Sequence, residues 1–144
     1  MLSGGTSRQA IALAITKLLS DNIPETYGNV KPYLRFWDEI EDFPYISVTC
    51  TNETRDYLPG SFEWGFVTTN IRCYVKSDIE EPAEELEKIL VKIENLLRSN
   101  SSTLPIGTTC TTTDIRVVSI DVDGGLLKPL GVGEITAVVQ YQVN

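Results

Sequence analysis

Hydrophobic positions recur at every second residue from Phe66 to Lys76. Val67, Thr69, Ile71, Cys73 and Val75 make a mostly apolar face, and Thr68, Asn70, Arg72, Tyr74 and Lys76 a polar one, a period of two that predicts a long strand. The period then changes. Past the acidic corner Ser77-Asp78-Ile79-Glu80-Glu81, Pro82 stands where a first helical turn tolerates a residue without an N–H. Ala83, Leu86, Ile89, Leu90, Ile93, Leu96 and Leu97 follow at three- and four-residue steps, and Glu84, Glu85, Lys88, Lys92 and Glu94 fill the other side, so an amphipathic helix is predicted. Carboxylates at its start and Arg98 at its end suit the helix dipole. Leu86, Leu90, Ile93 and Leu97 are spaced like a coiled-coil seam, but a helix of about 15 residues is too short to sustain one, so they read as a core face.

The same reading extends to both sides. Thr6-Ser7-Arg8-Gln9 fits a capping box and predicts a helix from Ser7, with Ile11, Ala14, Ile15, Leu18 and Leu19 as its apolar stripe and an end near Asn22, before Pro24. Tyr27 to Val30 is then a connection. Lys31 to Trp37 alternates, with Leu34 and Phe36 opposite Tyr33, Arg35 and Trp37, and predicts a first strand. Pro44 opens a second, whose Ile46, Val48 and Cys50 face the core. Asn52 to Gly65 holds Glu53, Arg55, Asp56, Tyr57, Pro59, Gly60 and Trp64. It is either a long loop of the kind that carries function, or a strand extension ending in a wide turn. Ser99 to Thr113 reads as an excursion with a short strand at Thr108 to Thr112. Ile115 to Val122 and Glu134 to Val143 form a terminal hairpin, the second strand alternating through Ile135, Ala137, Val139, Tyr141 and Val143. Its connection, Asp123 to Gly133, frames Leu126, Leu127, Leu130 and Val132 with glycines, which is odd for a solvated tip. Together these predict an α+β fold in the order α-β-β-β-α-β-β: a mostly antiparallel sheet of about five strands with two helices packed on one face.

Length and charge narrow the function. The 144 residues suit a single domain, 1–144, and the 12 basic and 20 acidic residues give a net charge of −8. That charge argues against a nucleic-acid reader that neutralises phosphates. No apolar run of about 18 residues can span a bilayer, and Met1 to Gly5 lacks the pattern of a signal peptide, so a soluble cytoplasmic product is expected. Cys50, Cys73 and Cys110 are widely spaced among β-forming residues and read as reduced, largely buried thiols, with a Cys50–Cys73 bridge as the alternative. There is no histidine, which removes the commonest general base and metal ligand.

Candidate motifs resolve to plain structure. Gly4-Gly5-Thr6-Ser7 lacks the lysine of a phosphate-binding loop and reads as a flexible terminus. Gly131-Val132-Gly133 lacks the third glycine of a dinucleotide fingerprint and reads as a loop hinge. Asp121-Val122-Asp123-Gly124 lacks the remaining ligands of a calcium loop and reads as a turn. Asp38, Glu39, Glu41 and Asp42 read as a solvated acidic turn, since nothing nearby suggests the burial that separates carboxylate pKa values. Asn52-Glu53-Thr54 is a glycosylation sequon in form only. No catalytic, cofactor-binding or metal-ligating residue is assigned. The residues expected at subunit or partner contacts are Arg55, Tyr57, Trp64, Leu126, Leu127, Lys128 and Leu130.

This layout resembles the tail terminator (tail completion) proteins of long-tailed bacteriophages. The likeness rests on the opening helix Ser7 to Asp21, the strand opening Asp42-Phe43-Pro44-Tyr45-Ile46-Ser47-Val48, the strand Phe66 to Lys76 running into Glu80-Glu81-Pro82-Ala83-Glu84-Glu85-Leu86, and the terminal hairpin. The resemblance implies a non-enzymatic homo-hexameric ring in the virion, assembled in the host cytoplasm. Such a ring binds the tail tube protein at the head-proximal end, ends polymerisation and offers a docking surface to a head or neck connector protein. DNA would pass through an acidic channel without specific binding, and no membrane or cofactor is involved. Two alternatives stand beside it: another neck or tail protein, such as a head-closure or tube subunit, and a small histidine-free enzyme acting on an acyl or phosphoryl group.

Overall fold

The computed structural model describes residues 4–26, 28–77, 82–107, 110–127 and 129–143, with the backbone alone at 4–7 and 37. In chain order the elements are helix α1 (Gly4–Asn22), strands β1 (Val30–Lys31), β2 (Tyr45–Leu58) and β3 (Phe62–Lys76), helix α2 (Pro82–Ser99), and strands β4 (Pro105–Ile106), β5 (Cys110–Val122) and β6 (Leu130–Gln142). Short 3-10 turns lie at Pro24–Thr26 and Trp37–Glu39. The described strands form one sheet in the order β1-β2-β3-β6-β5-β4. The four long strands alternate in direction, and only β1 runs parallel to its neighbour. The α+β class and the antiparallel centre thus agree with the sequence, while the sheet is mixed and gains β4.

The period of two along β3 is what places the core. Val67, Thr69, Ile71, Cys73 and Val75 are all fully buried on the face that meets the helices. The register carries that face across the sheet, because directly paired residues share a side: Ile71 sits beside Val48 and Ile135, and Ile135 beside Ile120. From α1 this face receives Ile11, Ala12, Ile15 and Leu19, and from α2 Leu86, Ile89, Leu90, Ile93 and Leu97, all in one apolar cluster. Ala14 and Leu18 are partly buried against the same cluster, Ala12 joins it, and Ala83 is exposed at the start of α2.

Several expected boundaries are corrected. Helix α1 starts at Gly4, so Thr6 lies inside its first turn and is not its cap. Two glycines disfavour a helix by only about 1 kcal/mol each, which the three anchored turns that follow can override. The strand expected over Lys31 to Trp37 shrinks to Val30–Lys31, because Pro32 offers no N–H for a ladder. The chain beyond it folds over the sheet face away from the helices. There Ile40, Tyr45 and Tyr74 form a second small cluster, with the Tyr45 and Tyr74 ring centroids 6.2 Å apart and the Tyr45 hydroxyl donating to the Tyr33 carbonyl at 3.4 Å. The short strand expected from Thr108 falls partly outside the described residues, and β5 runs from Cys110 where Ile115 was expected.

The terminal connection is also shorter than expected. Gly131 and Gly133 are not a loop hinge but part of β6, opposite Val75 and Cys73. A Cβ on Gly133 would come within 2.9 Å of Leu90 Cδ1, and one on Gly131 within 2.8 Å of Val75 Cγ2. Both glycines are there to let α2 lie close on the sheet.

All three cysteines are free, Cys73 buried and Cys50 and Cys110 partly buried. Burial pushes the Cys73 thiol far above its ordinary value, and the Cys50 thiol up as well. A thiol reagent under native conditions is therefore expected to modify Cys73 no faster than the protein unfolds, with Cys50 and Cys110 reacting earlier. Immediate labelling of Cys73 would contradict this packing. Among the described residues, no helix is long and apolar enough to cross a membrane.

Candidate assembly surfaces

The segment Asn52 to Gly65 is a strand extension and not a loop. Beyond a bulge at Cys50/Asn52, β2 and β3 stay paired out to Leu58 and Phe62, and only Pro59, Gly60 and Ser61 form the turn. Gly60 and Ser61 both have positive φ, 85° and 67°, the conformation a tight hairpin end requires. At the tip, Tyr57 is 73 % exposed, with Leu58 and Phe62 exposed on the opposite face and Trp64 half-buried near them.

What holds this arm is a polar cluster at its base. Glu53, Arg55, Glu63, Gly65 and Tyr141 share the face that meets the helices, where the apolar core has run out. The Glu53 side chain, 5 % exposed, accepts from the Tyr141 hydroxyl at 2.7 Å, from Arg8 at 3.0 Å and from Arg55. Arg55 also donates to Glu63 at 2.9 Å. Tyr141 reaches Glu53 because its paired residue on β3 is Gly65, over which its ring lies; a Cβ there would meet the ring carbon bearing the hydroxyl at 2.7 Å. The cluster therefore ties the arm, the start of α1 and the last strand together.

Burial alone would raise the Glu53 carboxyl, but the hydrogen bonds from Tyr141, Arg55 and Arg8 hold it below its ordinary value near 4.5. A carboxyl with a lowered folded-state pKa contributes stability that is complete above its unfolded pKa and fades as pH falls through the folded one. The stability gap between wild type and Glu53→Gln is thus expected to be full at pH 6 to 7 and to shrink progressively below about pH 4. A pH-independent gap in urea titrations would rule out the ion-paired carboxylate.

The other end of the sheet carries the second surface. The β5–β6 turn is tied down by backbone hydrogen bonds from Asp123 N to Val132 O at 3.0 Å and from Ser77 N to Pro129 O at 3.0 Å. Gly124 and Gly125, with φ of 67° and 83°, make its bend. Leu126 is 89 % and Leu127 50 % exposed, and Lys128 lies outside the described residues. Leu130 is not in the turn; it is in β6, half-buried and paired with Lys76. Since β2–β3 turns at one end and β5–β6 at the other, the expected contact residues do not converge. Arg55, Tyr57 and Trp64 sit at one end, and Leu126, Leu127 and Leu130 at the opposite one. Arg55 is also no free contact group, being engaged in the polar cluster.

Other surfaces escaped the sequence reading. Tyr33, Leu34 and Phe36 are exposed, Phe36 by 75 %, at the same end as Leu126. Asp38, Glu39, Glu41 and Asp42 are exposed beside them, as expected of a solvated turn. The Glu53–Tyr141 pair carried no signal because its two residues lie 88 apart in the chain. Among the described residues no group of three or more acidic or cysteine side chains is arranged to hold a metal ion.

Comparisons with known proteins agree with this architecture. Residues 5–144 match a family described as Bacteriophage Tail Tube Terminator Protein. The chain is 34 % identical over 152 aligned residues to the tail tube terminator protein p142 of Escherichia phage T5, spanning 93 % of this chain and 90 % of that protein. It also superposes on a chain in the virion of a native gene transfer agent particle with a TM-score of 0.67, covering 97 % and 99 % of the two chains at 9 % identity, a likeness of fold. The chain belongs to the bacteriophage tail tube terminator family.

Proposed function

We propose that this protein forms a ring at the head-proximal end of the tail tube, ends tube polymerisation and presents the surface to which the head or neck docks. It does so as a structural component of the virion at the tail–neck junction, assembled in the host cytoplasm and without catalysis. The observation that carries this reading is the placement of exposed apolar groups at both ends of one sheet: Tyr57, Leu58 and Phe62 at one, Leu126, Leu127 and Phe36 at the other. A subunit joining two different partners along an axis needs two such ends. Six copies is the number that the family resemblance implies, and each contact between like subunits would be heterologous and close into a ring.

The sheet face away from the helices suits a channel for DNA. It carries Thr68, Asn70, Thr136 and Gln140, and two of its cations are paired, Arg72 with Glu134 and Arg116 with Asp114. Cations already neutralised have little to gain from phosphates, so DNA would slide without being gripped.

The test is electron microscopy of the purified protein mixed with isolated tail tubes. A single ring at one end of each tube is the expected result. Copies along the whole tube, a single copy per tail, or tubes grown from the protein alone would overturn the reading, the last in favour of a tube subunit.

A further inference from the structure

Both outer long strands of the sheet leave most of their length unpaired. Strand β4 covers β5 only at Cys110 and Thr111, and β1 covers β2 only at Ile46 and Ser47. Along β5 the five residues 118–122 are all exposed, and among them Val118, Ile120 and Val122 are 57 %, 41 % and 52 % exposed. A long, apolar, β-branched edge is a template for another strand, and stable proteins usually blunt it or cover it. Here, among the described residues, nothing of the chain itself covers it.

We infer that the open edge of β5 pairs with the open edge of β2, residues 51–58, of a second copy. Strand direction favours that occupant. Along β2-β3-β6-β5 each strand opposes its neighbour, so β5 and β2 run in opposite senses, and a second copy placed beside the first in the same orientation continues the antiparallel alternation without a break. The open stretch of β5, residues 112–122, is long enough to take the whole of 51–58. Pairing β5 with β5 of another copy would need a two-fold axis. That pair would stop at a dimer and turn the two hairpin tips to opposite sides, whereas edge-to-edge pairing of β5 with β2 keeps every tip on the same side. This rests on the ring reading given above and names the contact that would build the ring.

The test uses a chain with Cys50→Ser, Cys73→Ala and Cys110→Ser, into which Val118→Cys and Thr54→Cys are introduced singly and together, with neighbouring pairs to allow for register. Each variant is assembled onto tails, viewed by electron microscopy, oxidised and run without reductant. Expected are cross-linked species above the dimer in a double variant and none in either single variant. Dimers from Val118→Cys alone would show β5–β5 pairing and overturn the inference, as would rings that never cross-link in any double variant. Absence of any ring would overturn the proposed function and this contact with it. As a second measure, Val118→Lys, at a side chain 57 % exposed, is expected to melt like the parent chain and to form no ring; rings formed as readily as by the parent would refute the edge contact.

Discussion

Replacing Gly65 with valine is expected to destabilise the fold by about 3 to 5 kcal/mol, combining overpacking against a fixed ring with loss of a hydrogen bond to a charged group. The new side chain would occupy the space of the Tyr141 ring, since even a Cβ at Gly65 would lie 2.7 Å from the ring carbon that bears the hydroxyl. Tyr141 cannot simply move aside. Its hydroxyl is bonded to Glu53 at 2.7 Å, and its own strand is paired with β3 and β5 on either side. In a chain of 144 residues the loss corresponds to a melting temperature about 10 °C lower or more. Tyr141→Ala removes the ring, so the double variant Gly65→Val/Tyr141→Ala is expected to cost clearly less than the two single changes added together. Tyr141→Phe, which keeps the ring and drops the hydroxyl, separates the hydrogen bond from the packing. If Gly65→Val unfolds within about 1 kcal/mol of wild type, the close approach described here is not a constraint on the fold.

That sensitivity was invisible in the sequence, and the reason is general to this chain. Local periodicity exposes whatever one element needs of the face it packs on. The alternation of β3 and the stripe of α2 therefore identified nearly all of their buried residues. It does not expose what two distant strands need of each other. Gly65 and Tyr141 lie far apart in the chain and meet only through the β3–β6 register. The same limit explains Asn52 to Gly65, whose polar and aromatic composition left a loop and a strand extension equally open. The residues are polar because this part of the hairpin extends past the helices, where its inner face meets Arg8, Glu53 and Arg55 in place of an apolar layer. Gly131 and Gly133 misled in the opposite sense. Glycine in a chain of turn signals suggests a bend, but here both residues make room for Leu86, Leu90 and Pro82 over a regular strand. Strand β5 carries two register shifts against β6, at Thr112/Asp114 and Val117/Ser119, which its local alternation did not reveal.

The exposed leucines were legible because an apolar pair among turn residues has no local reason to exist, and they give the largest expected effect on assembly. Leu126→Asp with Leu127→Asp is expected to leave the isolated chain within about 0.5 kcal/mol of wild type, because side chains exposed by 89 % and 50 % contribute little to its core. In the ring proposed above the balance reverses. Each leucine buried against a partner contributes about 1.5 to 3 kcal/mol, and a carboxylate put in its place must be desolvated without a partner, so the contact is expected to weaken by more than about a thousandfold. The paired lesion at the other end, Tyr57→Asp with Phe62→Asp, tests whether the two ends do different work. One pair is expected to abolish the ring on the tube and yield tubes that overrun their normal length. The other is expected to leave ring and length intact and to block attachment of heads. Electron micrographs of tails assembled with each variant distinguish these outcomes, with melting curves as the control for folding. Two variants that behave alike in every respect would show that the opposite ends of the sheet do not face separate partners.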